Sequence, residues 1–436
     1  MAIRSALTSG LVALMGLTAV AACSAATTNE MRGVWLNASQ TAKAGTAEQT
    51  AERLEGHGFN AVFMRYEADS EPLRNLIAAC RRHHVATHIW LFRPPIEKRD
   101  AWKCLSYDLA KDTMVPGREC LCDEEYLQAC EEKVRQIARE YDVDGIHFDE
   151  VGFGFPWQSL CDRCKQRFIA DTNVKVLDWP NDVMRLGQVT RTNMLNLGAW
   201  RGPYLDAFVK WRCGRVAKYL QRLCDAAKSV RPLTVSYAAM AEPSADEVFY
   251  GENLAELARI FDFIVPMSYY TQYSGMSGGR PEWTAEICQI LAKWVHQGNP
   301  KCQVYAGISA YGADGGWFAP VRELYEKLVA AGTITPEQRT EHLKYRTCKQ
   351  GFDSLAWLRA EGKVSQDEYE QVKAKLEART PTSDEMVRAV RSIRKAGLSG
   401  FVFFRYECMF EDAVQGVIGQ DLWPRLKETL AEPTVP

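Results

Sequence analysis

The chain lacks any lysine- or arginine-rich tract, and its formal net charge is only -2. Because nucleic-acid binding needs a basic surface for the phosphates, this charge balance argues against a nucleic-acid partner. No glycine-rich phosphate-binding loop follows the first predicted strand, which argues against an open nucleotide-binding sheet. The amino-terminal apolar run, residues 7–22, is short and rich in small residues, so it does not suit a membrane span.

The amino terminus instead has the features of a secretory signal. Arg4 precedes the apolar run, and residues 20–23 read VAAC. A positive residue followed by a short apolar core is typical of a signal peptide, here residues 1–22. Because VAAC also resembles a bacterial lipobox, we expect Cys23 to become the lipidated first residue of an exported, membrane-anchored protein of the bacterial cell envelope, with residues 23–30 as a tether. An ordinary signal cleaved nearby is the alternative.

Thirteen of the fourteen cysteines follow Cys23, so an odd number remains and at least one thiol is unpaired. Two closely spaced pairs are Cys120 with Cys122 and Cys161 with Cys164. Together they could supply four thiolates to a structural zinc ion, although Cys-x-Cys is a less typical ligand spacing than Cys-x-x-Cys. Disulfide bonds and free buried thiols are the alternatives that the sequence leaves open. We predict no cofactor and no metal, with these four cysteines as the one candidate.

Eight predicted strands alternate with amphipathic helical stretches along the chain. The strands are residues 33–37, 61–67, 85–92, 145–150, 233–239, 263–269, 303–310 and 400–407. This alternation is typical of βαβ units and a parallel sheet, and eight units predict an α/β fold of the (β/α)8, or TIM, barrel type. An open doubly wound sheet is the alternative. Residues 31–317 would hold strands 1–7, and residues 382–430 would complete the barrel with strand 8.

A helical insertion, residues 318–381, is predicted after strand 7. It contains an internal repeat, because residues 328–337 (LVAAGTITPE) match residues 358–367 (LRAEGKVSQD). In each copy a helix is predicted to end at glycine, and Thr335 or Ser365 then caps the next helix. A solvated insertion is one interpretation, and a surface for self-association is the other.

Residues 143–152 (VDGIHFDEVG) carry the strongest functional signal in the sequence. Side chains alternate along a strand, so His147 and Asp149 share one face while Ile146 and Phe148 share the other. A polar inner face that ends in aspartate is typical of a strand in a parallel barrel, and barrel enzymes carry their chemistry at the carboxyl ends of such strands. The pattern favours a carbohydrate-active enzyme.

Hydrolysis of a glycosidic bond needs two carboxyl groups that flank the scissile bond. Asp149 is the first candidate, because it is in phase with His147 and should project into the cleft. Glu150 is out of phase and turns outward unless the strand ends before it. Glu242, beyond strand 5, is the preferred partner acid. The predicted catalytic set is therefore Asp149, Glu242 and Glu150.

Other predicted strand ends supply groups that could bind sugar. Aromatic rings would stack on the apolar faces of the sugar, and polar groups would orient its hydroxyls. Each also has a structural interpretation, as a core side chain or as part of an ion pair that closes the barrel. Residues 93–123, after strand 3, are expected to shape the cleft. The substrate-binding candidates are Trp35, Asn37, Arg65, Glu67, His88, Trp90, His147, Tyr269, Asp314, Arg405 and Glu407.

Several stretches resemble a known group of bacterial proteins. Residues 31–37 (MRGVWLN), 58–62 (GFNAV) and 141–149 (YDVDGIHFD) are similar to the "family ten-like" glycosyl-hydrolase-like proteins. Residues 161–168 (CDRCKQRF) are similar to a segment of related glycosidases. The likeness covers most of residues 31–406 apart from the helical insertion. It implies a (β/α)8 fold and a role in polysaccharide metabolism at the cell envelope.

The element Asp-Gly-x-x-x-Asp also resembles two established groups of glycosidases. In alpha-amylase-like enzymes the last aspartate of such a strand is the nucleophile, which maps onto Asp149. Chitinase-like enzymes carry Asp-Gly-x-Asp-x-Asp-x-Glu and a Met-x-Tyr strand, which Met267 and Tyr269 match. His147 and Val151 depart from that pattern, because they stand where an aspartate and the catalytic glutamate should be. The resemblance therefore does not extend to substrate-assisted chitinase chemistry.

Two functions remain open from the sequence. The first is an envelope-anchored glycoside hydrolase that acts on a poly- or oligosaccharide through paired carboxylates. The second is a non-catalytic glycan-binding lipoprotein that keeps the cleft of the barrel but lacks a working acid pair. Replacement of Asp149 by asparagine distinguishes them, because it should abolish turnover only in the enzyme.

Overall fold

The computed structural model describes residues 30–190, 193–310, 319–343, 348–377, 381–410 and 422–432. The predicted signal peptide, Cys23 and Asp314 lie outside these ranges. Most strands of the described chain belong to one parallel sheet, and β4 and β5 form a separate antiparallel hairpin. The strands are β1 (Met31–Leu36), β2 (Ala61–Arg65), β3 (Ala86–Leu91), β4 (Lys103–Asp108), β5 (Thr113–Glu119), β6 (Gly145–Phe148), β7 (Thr234–Ala239), β8 (Phe263–Pro266), β9 (Gln303–Val304), β10 (Ala306–Ser309) and β11 (Gly400–Phe404).

The parallel sheet closes into a barrel, which confirms the predicted (β/α)8 fold. Its strand order is β10-β11-β1-β2-β3-β6-β7-β8-β9. β9 and β10 are two halves of the predicted seventh strand, separated by Tyr305, whose backbone N–H still donates to the carbonyl of Ile264 at 3.0 Å. Because β9 pairs with β8 and β10 pairs with β11, this divided strand joins the two edges of the sheet.

Helices pack around the barrel, and local sequence explains where several of them begin. Thr46, Ser70, Asp123 and Thr382 each accept a hydrogen bond from a backbone N–H in the first turn of the helix that follows. No helix in the described ranges is both long enough and apolar enough to cross a bilayer. The helices are α1 (Ala38–Ala44), α2 (Ala47–Gly56), α3 (Glu71–Arg82), α4 (Glu124–Glu140), α5 (Asp162–Thr172), α6 (Leu197–Trp200), α7 (Leu205–Lys228), α8 (Pro243–Phe249), α9 (Leu254–Leu257), α10 (Ser274–Ser277), α11 (Trp283–Gly298), α12 (Ala319–Ala330), α13 (Pro336–His342), α14 (Cys348–Ala360), α15 (Gln366–Glu377), α16 (Ser383–Lys395), α17 (Tyr406–Phe410) and α18 (Leu422–Ala431).

Aromatic and histidine side chains fill the interior of the barrel. The strand register places Trp35 beside Phe63 and Phe63 beside His88. The His88 ring stacks on Phe63 with centroids 4.9 Å apart. Gly145 leaves room for this imidazole, since a Cβ there would lie 2.4 Å from Nδ1 of His88. With its interior filled in this way, the barrel has its place for a ligand at the carboxyl ends of the strands.

The helical insertion consists of α12 to α15 in the described part of the chain. Gly332 and Gly362 have positive φ angles of 67° and 63°, the left-handed conformation that ends a helix most easily at glycine. The Thr335 hydroxyl accepts a hydrogen bond from the backbone N–H of Gln338, and Ser365 accepts one from Glu368. The helix ends and caps predicted from the repeat are therefore present.

The hairpin of β4 and β5 occupies the long segment after β3. It is attached to the chain beyond β6, because the backbone N–H of Leu160 donates to the carbonyl of Leu105 at 3.0 Å. Arg93 ties the base of the hairpin to the same region, since its guanidinium donates to the carbonyl oxygens of Glu119 and Gly152. The hairpin therefore lies along one side of the carboxyl end of the barrel.

Candidate active site

Asp149 lies immediately beyond β6, at the carboxyl end of the barrel. Its carboxyl group is buried, with the residue only 5% exposed. Nε1 of Trp90, on the neighbouring strand β3, donates to Oδ2 at 2.9 Å. Oδ1 has no hydrogen-bond partner among the described residues. One oxygen of this carboxyl group is thus held in place, while the other is left for a proton or a ligand.

Glu150 faces a cavity because the strand ends before it. β6 stops at Phe148, and Glu150 has a positive φ of 48°, which breaks the alternation of the strand. The side chain is exposed and lines a cavity of about 200 Å³. From the sequence, Glu150 was expected to turn outward unless the strand ended before it. The strand does end there, because Glu150 has a left-handed backbone conformation.

Glu252 is a third carboxyl group at this site, and the sequence did not point to it. It follows α8 in the connection between β7 and β8, and it is only 4% exposed. The hydroxyl of Tyr237 donates to Oε1 at 2.8 Å, and the backbone N–H of Met240 donates to Oε2 at 3.2 Å. Glu252 lines the same cavity as Glu150.

The three carboxyl groups influence one another electrostatically. The pKa of Asp149 is raised to about 7: burial is the largest cause, the hydrogen bond from Trp90 lowers the pKa, and the charges of Glu150 and Glu252 raise it. Burial likewise raises the pKa of Glu252 to about 7, with a further contribution from Glu150. Near neutral pH, Asp149 and Glu252 therefore hold protons that carboxyl groups in water would have lost.

These buried carboxyls give the protein a pH-dependent stability. Their pKa values are higher in the folded chain than in the unfolded chain, so the folded state holds more protons between about pH 4 and pH 7. The contribution of these two groups to the free energy of unfolding should be largest below this window and should fall as pH rises through it. For Asp149→Asn, whose amide does not titrate, we expect the fall between pH 5 and pH 8 to be smaller by about 2 kcal/mol. Urea unfolding at the two pH values measures this, and an undiminished fall in the variant would contradict it.

A larger groove adjoins the cavity beside the carboxyl groups, since the two share lining residues. The groove has a volume of about 950 Å³ and runs along the hairpin. Arg118, Phe155 and Gln158 line both the cavity and the groove. A path of this size with charged, amide and aromatic side chains suits an extended polar ligand. The remaining cavity residues are Gly152, Gly154, Ala238, Met240, Tyr250 and Met267.

Both predicted histidines are core residues in the structure. His147 is 0% exposed, and its Nδ1 lies 2.8 Å from the hydroxyl of Ser236. Burial lowers its pKa well below the usual value, and lowers that of His88 to about 4. Both imidazoles are therefore neutral at ordinary pH, and neither lines the cavity. The prediction that they orient sugar hydroxyls is not supported, because the barrel interior encloses them.

The predicted aromatic stacking residues are also buried. Trp35, Trp90 and Tyr269 are 1%, 3% and 3% exposed, so they present no open ring face to a sugar. Trp35 packs edge-on against Tyr269 with ring centroids 6.5 Å apart, whereas Trp90 holds Asp149. The aromatic side chains that do line the cavity are Phe155 and Tyr250.

Glu407 joins two strand ends on the opposite side of the barrel mouth. Its Oε1 accepts a hydrogen bond from the backbone N–H of Asn37 at 2.6 Å, and its Oε2 lies 3.3 Å from Nε of Arg405. The Arg405–Glu407 ion pair allowed by the sequence is therefore present. Burial raises the pKa of Glu407, partly offset by Arg405. These contacts give the group a structural role.

Arg65 and Glu67 have separate partners. The Arg65 guanidinium lies over the ring of Phe92, 5.3 Å from its centroid. Glu67 accepts hydrogen bonds from the hydroxyls of Ser39 and Ser70. Their contacts connect the strand end to nearby helices, so neither residue is brought to the cavity.

Glu242 and Glu252 lie in the same connection between β7 and β8, but only Glu252 is among the described residues that line the cavity. Glu242 is half-buried, and burial raises its pKa. Its role as partner acid stays a prediction. The sequence carries one local sign that the chain turns before Glu252: Gly251 directly precedes it and has a positive φ of 74°.

The structure forms a cysteine cluster that differs from the predicted one by a single residue. All four residues are buried, and their Sγ atoms lie within 4.8 Å of one another. Cys122 is outside the cluster, and its backbone N–H donates to Sγ of Cys120 at 3.4 Å. The hairpin register pairs Lys103 with Glu119, which brings Cys104 beside Cys120. The members of the cysteine cluster are Cys104, Cys120, Cys161 and Cys164.

Comparison with protein-family models and with curated proteins gave no match. Among solved structures, the glycoside hydrolase domain of PgaB (BpsB) from Bordetella bronchiseptica has a TM-score of 0.56 at 11% identity, over 88% of this chain and 97% of that chain. Alpha-L-fucosidase isoenzyme 2 from Paenibacillus thiaminolyticus has a TM-score of 0.49 at 15% identity, over 92% of this chain and 49% of that chain. A chitinase from Cycas revoluta has a TM-score of 0.43 at 10% identity, over 92% and 100%. At these identities the likeness concerns the fold alone: the chain is a (β/α)8 barrel with the overall fold of a bacterial glycoside hydrolase domain.

Proposed function

We infer that the protein is a glycoside hydrolase that acts on a poly- or oligosaccharide at the carboxyl end of its barrel. The observation that carries this inference is a set of three carboxyl side chains: Glu150 and Glu252 line one cavity, and Asp149 lies buried directly before Glu150. Two of its members have pKa values raised to about 7, so one can hold a proton while another is ionised near neutral pH. Glycosidases need this combination, because one carboxyl protonates the leaving oxygen and another attacks or activates water.

The contacts of each residue suggest how the roles divide. The indole N–H of Trp90 favours the ionised form of Asp149 and fixes Oδ2, which leaves Oδ1 to act as nucleophile or base. Burial raises the pKa of both Asp149 and Glu252 to about 7, so the pKa values do not separate the roles; Glu252 is assigned the acid because its side chain lines the cavity. Glu150 keeps a negative charge at the mouth, which raises the pKa values of the other two. The groove along the hairpin would hold the sugars on either side of the scissile bond.

Hydrolysis of a broad panel of oligosaccharides by the wild-type protein and by Asp149→Asn tests this function. We expect the variant to lose turnover by about 10²–10⁴-fold, because it removes an acid–base or nucleophilic group, and to keep sugar binding within a few-fold. Binding is measured separately by calorimetry. Sugar binding by a wild-type protein that hydrolyses nothing on the panel would contradict the hydrolase and favour the non-catalytic glycan-binding protein.

The proposed setting is the bacterial cell envelope, with a lipid anchor on Cys23. The VAAC sequence supports this proposal. Metabolic labelling with a fatty-acid probe tests it, and label that persists in Cys23→Ala would rule out this anchor. Self-association through the helical insertion likewise stays a prediction.

A further inference from the structure

The sulfur atoms of the cysteine cluster are almost equally spaced. Sγ of Cys164 lies 3.6 Å from that of Cys104, 3.5 Å from that of Cys120 and 3.6 Å from that of Cys161. Sγ of Cys120 and Cys161 are 3.6 Å apart, and the other pairs lie within 4.8 Å. The four residues are between 0% and 7% exposed. The cluster is thus compact and shielded from solvent.

This spacing fits a single tetrahedral ion. Zinc binds cysteine sulfur at about 2.3 Å, so a tetrahedral site places its four sulfurs about 3.8 Å apart. A disulfide would instead bring two sulfurs to about 2.05 Å and leave the other pairs unequal. The four cysteines of the cluster are all free of disulfide bonds. The cluster therefore has the geometry of four metal ligands and not of two covalent pairs.

The surroundings of the cluster favour thiolates. Cys161 is the N-cap of α5 and Cys164 lies in its first turn, where the helix dipole stabilises negative charge. Arg163 lies between them and is placed by hydrogen bonds to the carbonyls of Ala101 and Lys103. These contacts hold a guanidinium beside the sulfurs.

A second, independent sign is the buried guanidinium of Arg212. The residue is 0% exposed, and it donates to the carbonyls of Gly154, Val248 and Phe249. No carboxylate pairs with it in the described ranges, although buried charges are ordinarily paired. Among the thiols that act on it electrostatically, Cys213 on the same helix comes first, followed by Cys164 and Cys104 of the cluster. Four thiolates around a divalent cation carry a net charge of about -2, which Arg212 would partly offset together with Arg163, whose guanidinium also pairs with Asp123 at 3.0 Å.

We propose that the cysteine cluster binds one structural zinc ion. Zn²⁺ replaces the four thiol protons and completes a closed site with no open coordination position for catalysis. The ligands come from two places: Cys104 and Cys120 belong to the hairpin of β4 and β5, and the other two begin α5. The ion would therefore fasten the hairpin to the segment beyond β6, and Arg118 of the hairpin and Gln158 of that segment both line the cavity.

Metal content of the full-length protein, purified without chelators, tests the proposal. We expect one zinc per chain by mass spectrometry of the metal. Cys104→Ser should lose most of the zinc, whereas Cys122→Ser, the matched control, should keep it because Cys122 lies outside the cluster. Removal of the ion with a chelator should lower the Tm by about 5 °C or more. Zinc lost from Cys122→Ser but kept in Cys104→Ser would overturn this ligand set.

X-ray absorption at the zinc edge of the wild-type protein avoids any dependence on how the variants fold. Four sulfur neighbours at about 2.3 Å would support the site. Nitrogen or oxygen neighbours would overturn it. So would a protein that contains no zinc and whose cluster cysteines are recovered as disulfides, or one that holds iron in their place.

Discussion

We expect Glu252→Gln to lower kcat by about 10²–10⁴-fold on any glycan that the wild-type protein hydrolyses. The amide keeps the shape of the side chain; its oxygen can accept from the backbone N–H of Met240 and its NH2 group can donate to the hydroxyl of Tyr237, but it cannot deliver a proton. The wild-type rate should fall as pH rises through about 7, where the pKa of Glu252 lies, because the acid is then ionised. Kinetics across pH measure both effects.

Glu242→Gln is the matched control, since Glu242 lies in the same connection between β7 and β8. We expect kcat to change by less than about tenfold, because Glu242 is not among the described residues that line the cavity. A loss confined to Glu242→Gln would restore the assignment made from the sequence and remove Glu252 from the mechanism.

The second large effect concerns a buried ion pair at the start of the barrel. Glu30 precedes β1, and its carboxylate oxygens lie 2.7 and 2.6 Å from Nε and Nη2 of Arg394 on α16. The two residues are 6% and 8% exposed. Glu30→Gln leaves the guanidinium buried beside a neutral amide, and we expect the free energy of unfolding to fall by about 3 kcal/mol in urea denaturation.

Arg391 on the same helix provides the control. It pairs with Glu432 at 2.6 Å, but both side chains are about half exposed. Because water screens such pairs, Arg391→Ala should cost about 1 kcal/mol or less. Equal effects of Glu30→Gln and Arg391→Ala would mean that burial does not decide the strength of the inner pair.

The barrel could be predicted because its strands are marked by local patterns. Each predicted strand corresponds to a strand of the parallel sheet. The hairpin in residues 93–123 was not predicted as strands, because its side chains pack mainly on a neighbouring loop. Leu105 and Met114 of the hairpin are exposed, so its apolar residues do not form the regular buried face from which a strand is predicted.

The site was harder to predict because its members meet through loops. Glu252 lies beyond α8, and its distance from Asp149 depends on how that connection folds back. Cys104 reaches the cysteine cluster through the register of an antiparallel hairpin, whereas Cys122 is nearer along the chain but lies outside. Sequence spacing finds ligands on one element and misses those that tertiary structure brings together. Trp35 and Tyr269 were predicted to stack on sugars because they occupy inward-facing strand positions. Such positions also fill the packed interior of the barrel, and both rings are buried there.

Glu30 marks the end of the barrel that a tether from Cys23 would join. Glu30 directly precedes β1 and pairs with Arg394 at the amino end of that strand. The carboxyl groups of the candidate site follow the opposite ends of the strands. A strand of six residues, such as Met31–Leu36, spans about 20 Å. Were the chain tethered through Cys23, as proposed, the tether would join the barrel at the end opposite the groove. Such a molecule would take its glycans from the space above the membrane and not from the lipid surface.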